Sequence, residues 1–258
     1  MDRDKMIDLF IFAFEAGIRG IDTARDYDNE KNIGKALKEA LKVTGLNRED
    51  IFLTTKIGNN QQRKGEISNE IDISLDNLQT EYIDLWLMHW PYPDFYLSTW
   101  EKMLSIYEKT DKVKSIGVAN YNIRHLDKLK NKFSDNLPLV NQFEFHPLYS
   151  IKGLREYMEK NSIQLEAYAP FCQFHPDLKN SEILKGIARK YNKTIGQIIL
   201  RWHIQNNSIP VFLSNNTERF KENVAIFDFS LEKEDLKEIE KINKEYKYHL
   251  ESVHCPGY

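Results

Sequence analysis

Four side chains that can donate a proton or influence its transfer lie at, or shortly after, the ends of apolar runs in this sequence. Asp22, Lys56 and His89 each stand where such a run ends, and Tyr27 follows Asp22 five residues later. A charged group in a buried run is costly unless it is paired, so we expect Asp22 and Lys56 to neutralise each other. An ammonium beside a phenol lowers the phenol's pKa from its usual value of about 10. The set predicts that Tyr27 donates a proton to a carbonyl oxygen while a neutral His89 donates a second hydrogen bond.

Seven short runs rich in β-branched and aromatic residues position these side chains. They cover residues 18–23, 51–57, 83–89, 115–119, 139–145, 164–170 and 209–213. Amphipathic segments with helical spacing lie between or beside them, the clearest at residues 5–16, 29–43, 66–78, 194–202 and 231–239. Apolar strands that alternate with helices predict an α/β fold with a parallel sheet. In parallel α/β barrels the reactive side chains lie where each strand ends, which is where this sequence places its titratable groups.

The strand count falls one short of a closed barrel. A (β/α)₈ TIM-type barrel needs eight strands, whereas seven are visible and the chain opens on the helical segment 5–16. We therefore expect a barrel whose first strand is missing from this chain, either because the start codon was assigned late or because the barrel is shortened. No long Pro/Gly/Ser-rich linker divides residues 1–258, so we predict a single domain.

Composition excludes several classes of partner. The 36 Lys and Arg residues against 39 Asp and Glu residues give a net charge of −3, which offers no electrostatic basis for binding nucleic acid or an anionic membrane. The only cysteines, Cys172 and Cys255, imply no disulfide framework, and the apolar stretch 9–14 is far too short to span a membrane. We expect a cytoplasmic protein, a monomer or homodimer, whose partner is a small carbonyl substrate.

The source of the hydride is not evident from spacing alone. No strand-associated GxGxxG motif occurs in the chain, which argues against a Rossmann dehydrogenase. Asp22, Tyr27, Lys56 and His89 predict carbonyl reduction, and the hydride donor stays open.

Seven motifs in consistent order resemble those of the aldo-keto reductases. They are GIDTA at 20–24 with Tyr27 and NE at 29–30, LMHWP at 87–91, GVANY at 117–121, NQ at 141–142 with HP at 146–147, AYAP at 167–170, QIILRW at 197–202, and Arg219 with EN at 222–223. The resemblance runs from about residue 5 to the C-terminus. It implies a (β/α)₈ barrel and reduction of an aldehyde or ketone with NADPH, with NADH as the alternative cofactor. A Gly-rich phosphate motif is normally absent from that family.

The resemblance also implies roles for individual residues. Tyr27 takes the family's proton-donor position, Asp22 and Lys56 the positions that tune it, and His89 the position that orients the substrate carbonyl. The residues implied to bind the cofactor are Asn120, Gln142, Tyr168, Phe171, Ser214, Arg219, Glu222 and Asn223. An apolar mouth for the substrate is expected from Trp90, Tyr92 and Phe95, with Phe171 beside them.

Two departures from the family pattern concern the cofactor. Ala119 stands where the family has serine, which removes one hydrogen bond to the nicotinamide carboxamide. Residues 211–214 read VFLS where many members have Lys-Ser. Arg219 is therefore the only cation expected to bind the 2′-phosphate of NADPH, and the choice between NADPH and NADH stays open.

Two alternatives compete with the reductase hypothesis. Glu144 and His146 could join His89 and Asp22 in a metal cluster, but their spacing matches no zinc motif, so we expect no metal. A barrel without its first strand could instead bind nucleotide or a protein partner without turnover. Misplacing the cofactor by about an ångström would cost about 10²-fold in rate.

Overall fold

In a computed structural model of the chain, seven strands alternate with helices in the order that the sequence predicts. The structure describes residues 3–134, 136–214, 216–256 and 258. It divides into two units, one of residues 1–141 with 255–258 and one of residues 142–254. Each unit is described by itself, and the single domain stays a prediction.

The first unit contains four complete strands and the start of a fifth. The strands are β1 (Gly20–Asp22), β2 (Phe52–Ile57), β3 (Leu85–Met88), β4 (Ile116–Ala119) and β5 (Val140–Glu144), whose last three residues belong to the second unit. The helices are α1 (Arg3–Glu15), α2 (Glu30–Thr44), α3 (Asn59–Lys64), α4 (Ile67–Leu78), α5 (Tyr96–Lys109) and α6 (Ile123–Phe133). Strands β1 to β4 pair in parallel, each with the next in the chain.

The second unit continues the same alternation. Its strands β6 (Gln164–Tyr168) and β7 (Ser208–Val211) are parallel neighbours. Its helices are α7 (Lys152–Lys160), α8 (Pro176–Lys179), α9 (Glu182–Tyr191), α10 (Ile195–Gln205), α11 (Thr217–Val224), α12 (Lys233–Glu240) and α13 (Glu251–His254). Strand order in the sheet follows chain order from β1 to β7, so the predicted α/β class is confirmed.

Local sequence explains where these elements lie. Every residue of β3 is buried and β2 is buried from Leu53 onward, as expected for near-continuous apolar runs covered on both faces. Helix α2 ends at Gly45, whose φ of 71° is a conformation that glycine adopts without strain. Helix α10 begins with a capping box in which Thr194 and Gln197 bind each other's backbone N–H groups.

Helices α2 and α4 approach each other closely at Gly34. A Cβ atom at this position would lie 2.5 Å from the backbone oxygen of Asn77 and 2.6 Å from the carbonyl carbon of Leu78. Because both neighbours are backbone atoms, a larger residue would force the two helices apart.

Helix α1 begins at Arg3, the first residue that the structure describes. Helix α1 buries Met6, Ala13 and Phe14, as its apolar sequence predicts. None of the helices in the described ranges is both long enough and apolar enough to cross a bilayer.

Candidate active site

The pair formed by Asp22 and Lys56 lies in the first unit at the ends of β1 and β2. Lys56 has a side chain with no solvent exposure, and its Nζ donates to Asp22 Oδ1 at 2.5 Å and to the backbone oxygen of Thr23 at 2.9 Å. Asp22 keeps 18% of its side chain exposed. The predicted pairing is present, and it places a buried cation beside the loop that follows β1.

Tyr27 ends a short 3₁₀ turn, Arg25–Tyr27, in that loop. Arg25 fixes the turn because its guanidinium lies 3.9 Å from Glu30 and 3.5 Å from Glu70, two buried carboxylates. The Nζ of Lys56 lies 5.2 Å from the centre of the Tyr27 ring. The phenol is 48% exposed, so it lies beside the ion pair and is still open to a ligand.

The pKa of Tyr27 differs in direction from the sequence argument. Burial raises this pKa above 10, Lys56 lowers it through its charge and a hydrogen bond, and Asp22 and Asp26 raise it. The expected influence of Lys56 is present, but burial and the two carboxylates outweigh it. The phenol therefore stays protonated at neutral pH, which is the form that a proton donor requires.

His89 follows β3 and packs edge-on against Tyr27. The two ring centres are 5.6 Å apart with an interplanar angle of 83°. Burial lowers the pKa of His89 below 6.5, Asp26 opposes that change and Lys56 reinforces it. The ring is therefore neutral at pH 7, as the sequence argument assumed.

Asp26 is the residue of this site that the sequence argument missed. Its Oδ2 lies 3.3 Å from His89 Nδ1. The carboxylate occupies the space directly over Gly58, where a Cβ atom would lie 2.0 Å from Asp26 Oδ1. The available signal was its place in the same loop, four residues after Asp22 and one before Tyr27.

Asn120 follows β4 and lies next to His89. Its Nδ2 donates to the backbone oxygen of His89 at 2.9 Å, and its backbone adopts a φ of 66°. The hydroxyl of Tyr258 donates to the Asn120 backbone oxygen at 2.8 Å. The structure thus brings Asp22, Tyr27, Lys56, His89 and Asn120 to the carboxyl ends of β1 to β4, as predicted.

The three residues expected at the substrate mouth follow β3 in the same unit. Trp90 is buried and meets the Tyr258 ring edge-on at 6.0 Å, while Tyr92 stacks on Phe95 at 5.6 Å. Tyr92 and Phe95 are half-buried. Contact of these residues with substrate stays a prediction.

Three of the expected cofactor residues lie on or after β5 and β6 in the second unit. Gln142 is buried, and its Nε2 donates to Glu166 Oε2 at 3.0 Å. Tyr168 meets the His249 ring edge-on at 5.6 Å, and Phe171 stacks on Phe174 at 5.1 Å. Their roles in cofactor binding stay predictions.

The four residues expected at the adenosine end lie on or before α11. Ser214 donates to the backbone oxygen of Asn216, and Glu222 accepts a hydrogen bond from Thr194 Oγ1. Arg219, Glu222 and Asn223 have the spacing that places residues on one helix face. Arg219 is exposed, and its guanidinium forms no ion pair with any other residue that the structure describes. An unpaired guanidinium of this kind can receive a phosphate.

Glu144 and His146, the two residues of the metal-cluster alternative on β5 and just after it, take part in a hydrogen-bond network in the second unit. Glu144 is fully buried and accepts hydrogen bonds from His146 Nε2 at 3.0 Å and from the backbone N–H groups of Tyr248 and His249 at 2.5 and 2.8 Å. Burial raises the pKa of Glu144, but these donors outweigh burial and the net change is a lowering. Glu144 therefore attaches the 248–249 segment to β5. Within the described residues, no group of three or more His, Cys, Asp or Glu side chains could hold a metal ion.

Comparison with known proteins gives a consistent family match. The model of the Aldo/keto reductase family matches residues 1–244. Glyoxal reductase of Bacillus subtilis (strain 168) is 40% identical over 233 residues, which are 90% of this chain and 82% of that protein. Methylglyoxal reductase DkgA of Escherichia coli (strain K12) is 38% identical over 234 residues, with 90% and 82% covered.

Solved structures give the same match at the level of the fold. An aldo-keto reductase from a Medee basin deep-sea metagenome library superposes with a TM-score of 0.90 at 38% identity, covering 97% of this chain and 90% of that one. The Bombyx mori aldo-keto reductase in complex with NADP gives a TM-score of 0.90 at 31% identity, covering 98% and 87%. The predicted TIM-type barrel fold, with seven strands in the described residues, is confirmed.

Proposed function

This chain belongs to the aldo/keto reductase family, and from that membership we propose that it reduces a small aldehyde or ketone to an alcohol with NADPH. It is an NAD(P)H-dependent oxidoreductase. Within that class we assign Tyr27 as the proton donor, Asp22 and Lys56 as the pair that tunes it, and His89 as the group that orients the carbonyl.

The observation that carries the proposal is the buried ion pair beside a protonated phenol. Lys56 is neutralised by Asp22 at 2.5 Å and lies 5.2 Å from the Tyr27 ring. As the carbonyl oxygen gains negative charge, Tyr27 Oη transfers its proton to that oxygen, and the phenolate that remains is stabilised by the Lys56 ammonium. The Lys56 side chain has no solvent exposure, so little water screens the charge of its ammonium.

The residues that would hold NADPH fit its chemistry. When bound, NADPH supplies the hydride that adds to the carbonyl carbon. Arg219 offers an exposed guanidinium without an ion pair among the described residues, which suits the 2′-phosphate that distinguishes NADPH from NADH. We therefore assign Arg219, with Ser214, Glu222 and Asn223, to the adenosine end and Asn120, Gln142, Tyr168 and Phe171 to the nicotinamide end.

We propose small 2-oxoaldehydes as the substrate class. The relatives at 40% and 38% identity are named glyoxal reductase and methylglyoxal reductase, and each is matched over about four-fifths of its length. The apolar residues Trp90, Tyr92 and Phe95 follow the strand that carries His89, and they would contact the substrate beyond its reacting carbonyl.

The proposal is tested with a Tyr27→Phe variant. We expect kcat for methylglyoxal to fall by about 10²-fold or more, the contribution of a general acid, while the Kd for NADPH changes little. The matched control is Tyr107→Phe, which removes a hydroxyl from a half-exposed tyrosine on α5. Full turnover in Tyr27→Phe would contradict the assignment of the proton donor.

A nucleotide titration of the unmodified chain separates this proposal from binding without turnover. We expect NADPH to bind more tightly than NADH and to be oxidised when glyoxal or methylglyoxal is added. Binding of NADPH without its oxidation in the presence of any aldehyde or ketone would refute the reductase activity. The variant Arg219→Gln should lose the preference for NADPH over NADH.

A further inference from the structure

The Nδ1 atom of His89 is buried and makes no hydrogen bond of acceptable geometry with any residue that the structure describes. The carboxylate that faces it belongs to Asp26, with Oδ2 at 3.3 Å. This carboxylate can occupy its position only because residue 58 is glycine, since a Cβ atom there would lie 2.0 Å from Oδ1 and 2.2 Å from Oδ2. A small rotation of either side chain would complete a hydrogen bond between Asp26 and Nδ1.

The chemistry of the imidazole ring gives this contact a consequence. A neutral imidazole carries one proton, on either Nδ1 or Nε2, and the nitrogen without the proton can only accept a hydrogen bond. An ionised carboxylate can only accept, so a carboxylate at Nδ1 holds the ring proton there. Nε2 of the neutral ring is then an acceptor, and only the protonated imidazolium presents an N–H group at Nε2.

We propose that Asp26 is a positioning residue that holds neutral His89 in the Nδ1–H tautomer, so that Nε2 can donate to a substrate carbonyl only when the ring is protonated. The inference about the tautomer concerns the protein alone, and its catalytic consequence rests on the proposed function. It replaces the expectation that a neutral His89 donates to the carbonyl, because the single proton of the neutral ring is directed at Asp26.

Four titratable or charged groups face the His89 ring and set when it is protonated. Asp26 and Asp22 favour the imidazolium, Lys56 opposes it, and the neutral Tyr27 ring packs edge-on against it. Burial also opposes the charged form, and the net pKa lies below 6.5. The proportion of His89 that can donate from Nε2 therefore rises as pH falls through this pKa, and so should the rate of carbonyl reduction. Asp26 is 37% exposed, so solvent weakens its charge but leaves its role as an acceptor.

The tautomer is measured directly by ¹⁵N NMR on histidine-labelled protein, without any substrate. The chain has seven histidines, and the His89 signals are those lost in His89→Gln. At pH 8 we expect a protonated Nδ1 and an unprotonated Nε2 in the unmodified chain. In Asp26→Asn the amide can donate to Nδ1, so we expect the Nε2–H tautomer to increase. An Nε2–H tautomer in the unmodified chain, or the same tautomer in Asp26→Asn, would overturn the proposal.

Two further variants separate the tautomer effect from a loss of charge or of folding. Gly58→Ala keeps every titratable group but displaces the Asp26 carboxylate, so it should shift the tautomer in the same direction as Asp26→Asn. Asp28→Asn removes one charge from the same loop, and Asp28 is exposed and not among the groups that influence His89. It should leave the tautomer unchanged.

Kinetics then test the catalytic consequence. We expect kcat/KM for methylglyoxal to be about 25- to 100-fold higher at pH 6 than at pH 8 in the unmodified chain, because the protonated fraction of a base changes tenfold per pH unit above its pKa and the pKa of His89 lies below 6.5. This ratio should approach one in Asp26→Asn, through kcat more than KM, and should persist in Asp28→Asn. A ratio unchanged in Asp26→Asn overturns the inference while the reductase proposal stands. The expected tautomers in a chain that reduces no carbonyl would refute the proposed function alone.

Discussion

Removing Lys56 tests the buried ion pair on which the proposed chemistry depends. In Lys56→Met a side chain of similar length replaces the ammonium, so packing is largely kept while Asp22 loses its partner at 2.5 Å. The Lys56 side chain has no exposure, and the Asp22 side chain retains only 18%, so water can replace the lost contact only in part. The variant therefore leaves a poorly solvated carboxylate at the end of β1.

The magnitude follows from this burial. Breaking a buried pair by removing one partner costs about 3–5 kcal/mol, and the partial exposure of Asp22 places our expectation near the lower end, at about 3 kcal/mol. Removing both charges is nearly neutral in comparable sites, so Asp22→Asn combined with Lys56→Met should recover about 2 kcal/mol of that loss.

The assay is urea unfolding of the four chains of this double-mutant cycle. Lys112→Met is the matched control, because Lys112 also lies 2.5 Å from its partner, Asp72, but both side chains are half-exposed. The control should lose at most about 1 kcal/mol. If Lys56→Met unfolds at the same urea concentration as the control, or if the double variant is less stable than Lys56→Met, the inference of a mutually dependent buried pair is wrong.

Two further outcomes test packing and titration elsewhere in the chain. Gly34→Ala should destabilise the protein by about 2 kcal/mol, because its Cβ would lie 2.5 Å from a backbone oxygen of α4. The control Gly186→Ala on α9, where nothing lies within 4 Å of the added Cβ, should be neutral or slightly stabilising. Equal urea midpoints for the two variants would contradict the close approach of α2 and α4. Burial lowers the pKa of His203 to about 3, so below pH 6.5 the unfolded chain binds a proton that the folded chain does not. Stability should therefore fall by about 1.4 kcal/mol per pH unit from this residue between pH 6 and 4, and His203→Asn should reduce the slope of unfolding free energy against pH.

The candidate site shows which parts of the geometry were accessible from sequence. Asp22, Lys56, His89 and Asn120 could be placed together because each stands at the end of an apolar run, and the ends of parallel strands meet at one edge of the sheet. Asp26 could not be recognised in this way. Its importance depends on its distance from His89, 63 positions further along the chain, and on the absence of a side chain at Gly58.

The sequence by itself determined the order of strands and helices and the residue types at the strand ends, because apolar periodicity and capping act over a few neighbouring residues. Only the tertiary structure decided the direction of the Tyr27 pKa, the nitrogen of His89 that faces a carboxylate, and the use of Glu144 as an acceptor for the 248–249 segment. These properties depend on burial and on distances between residues far apart in the chain. Both are set by how the elements pack, and a local pattern of residue types does not specify them.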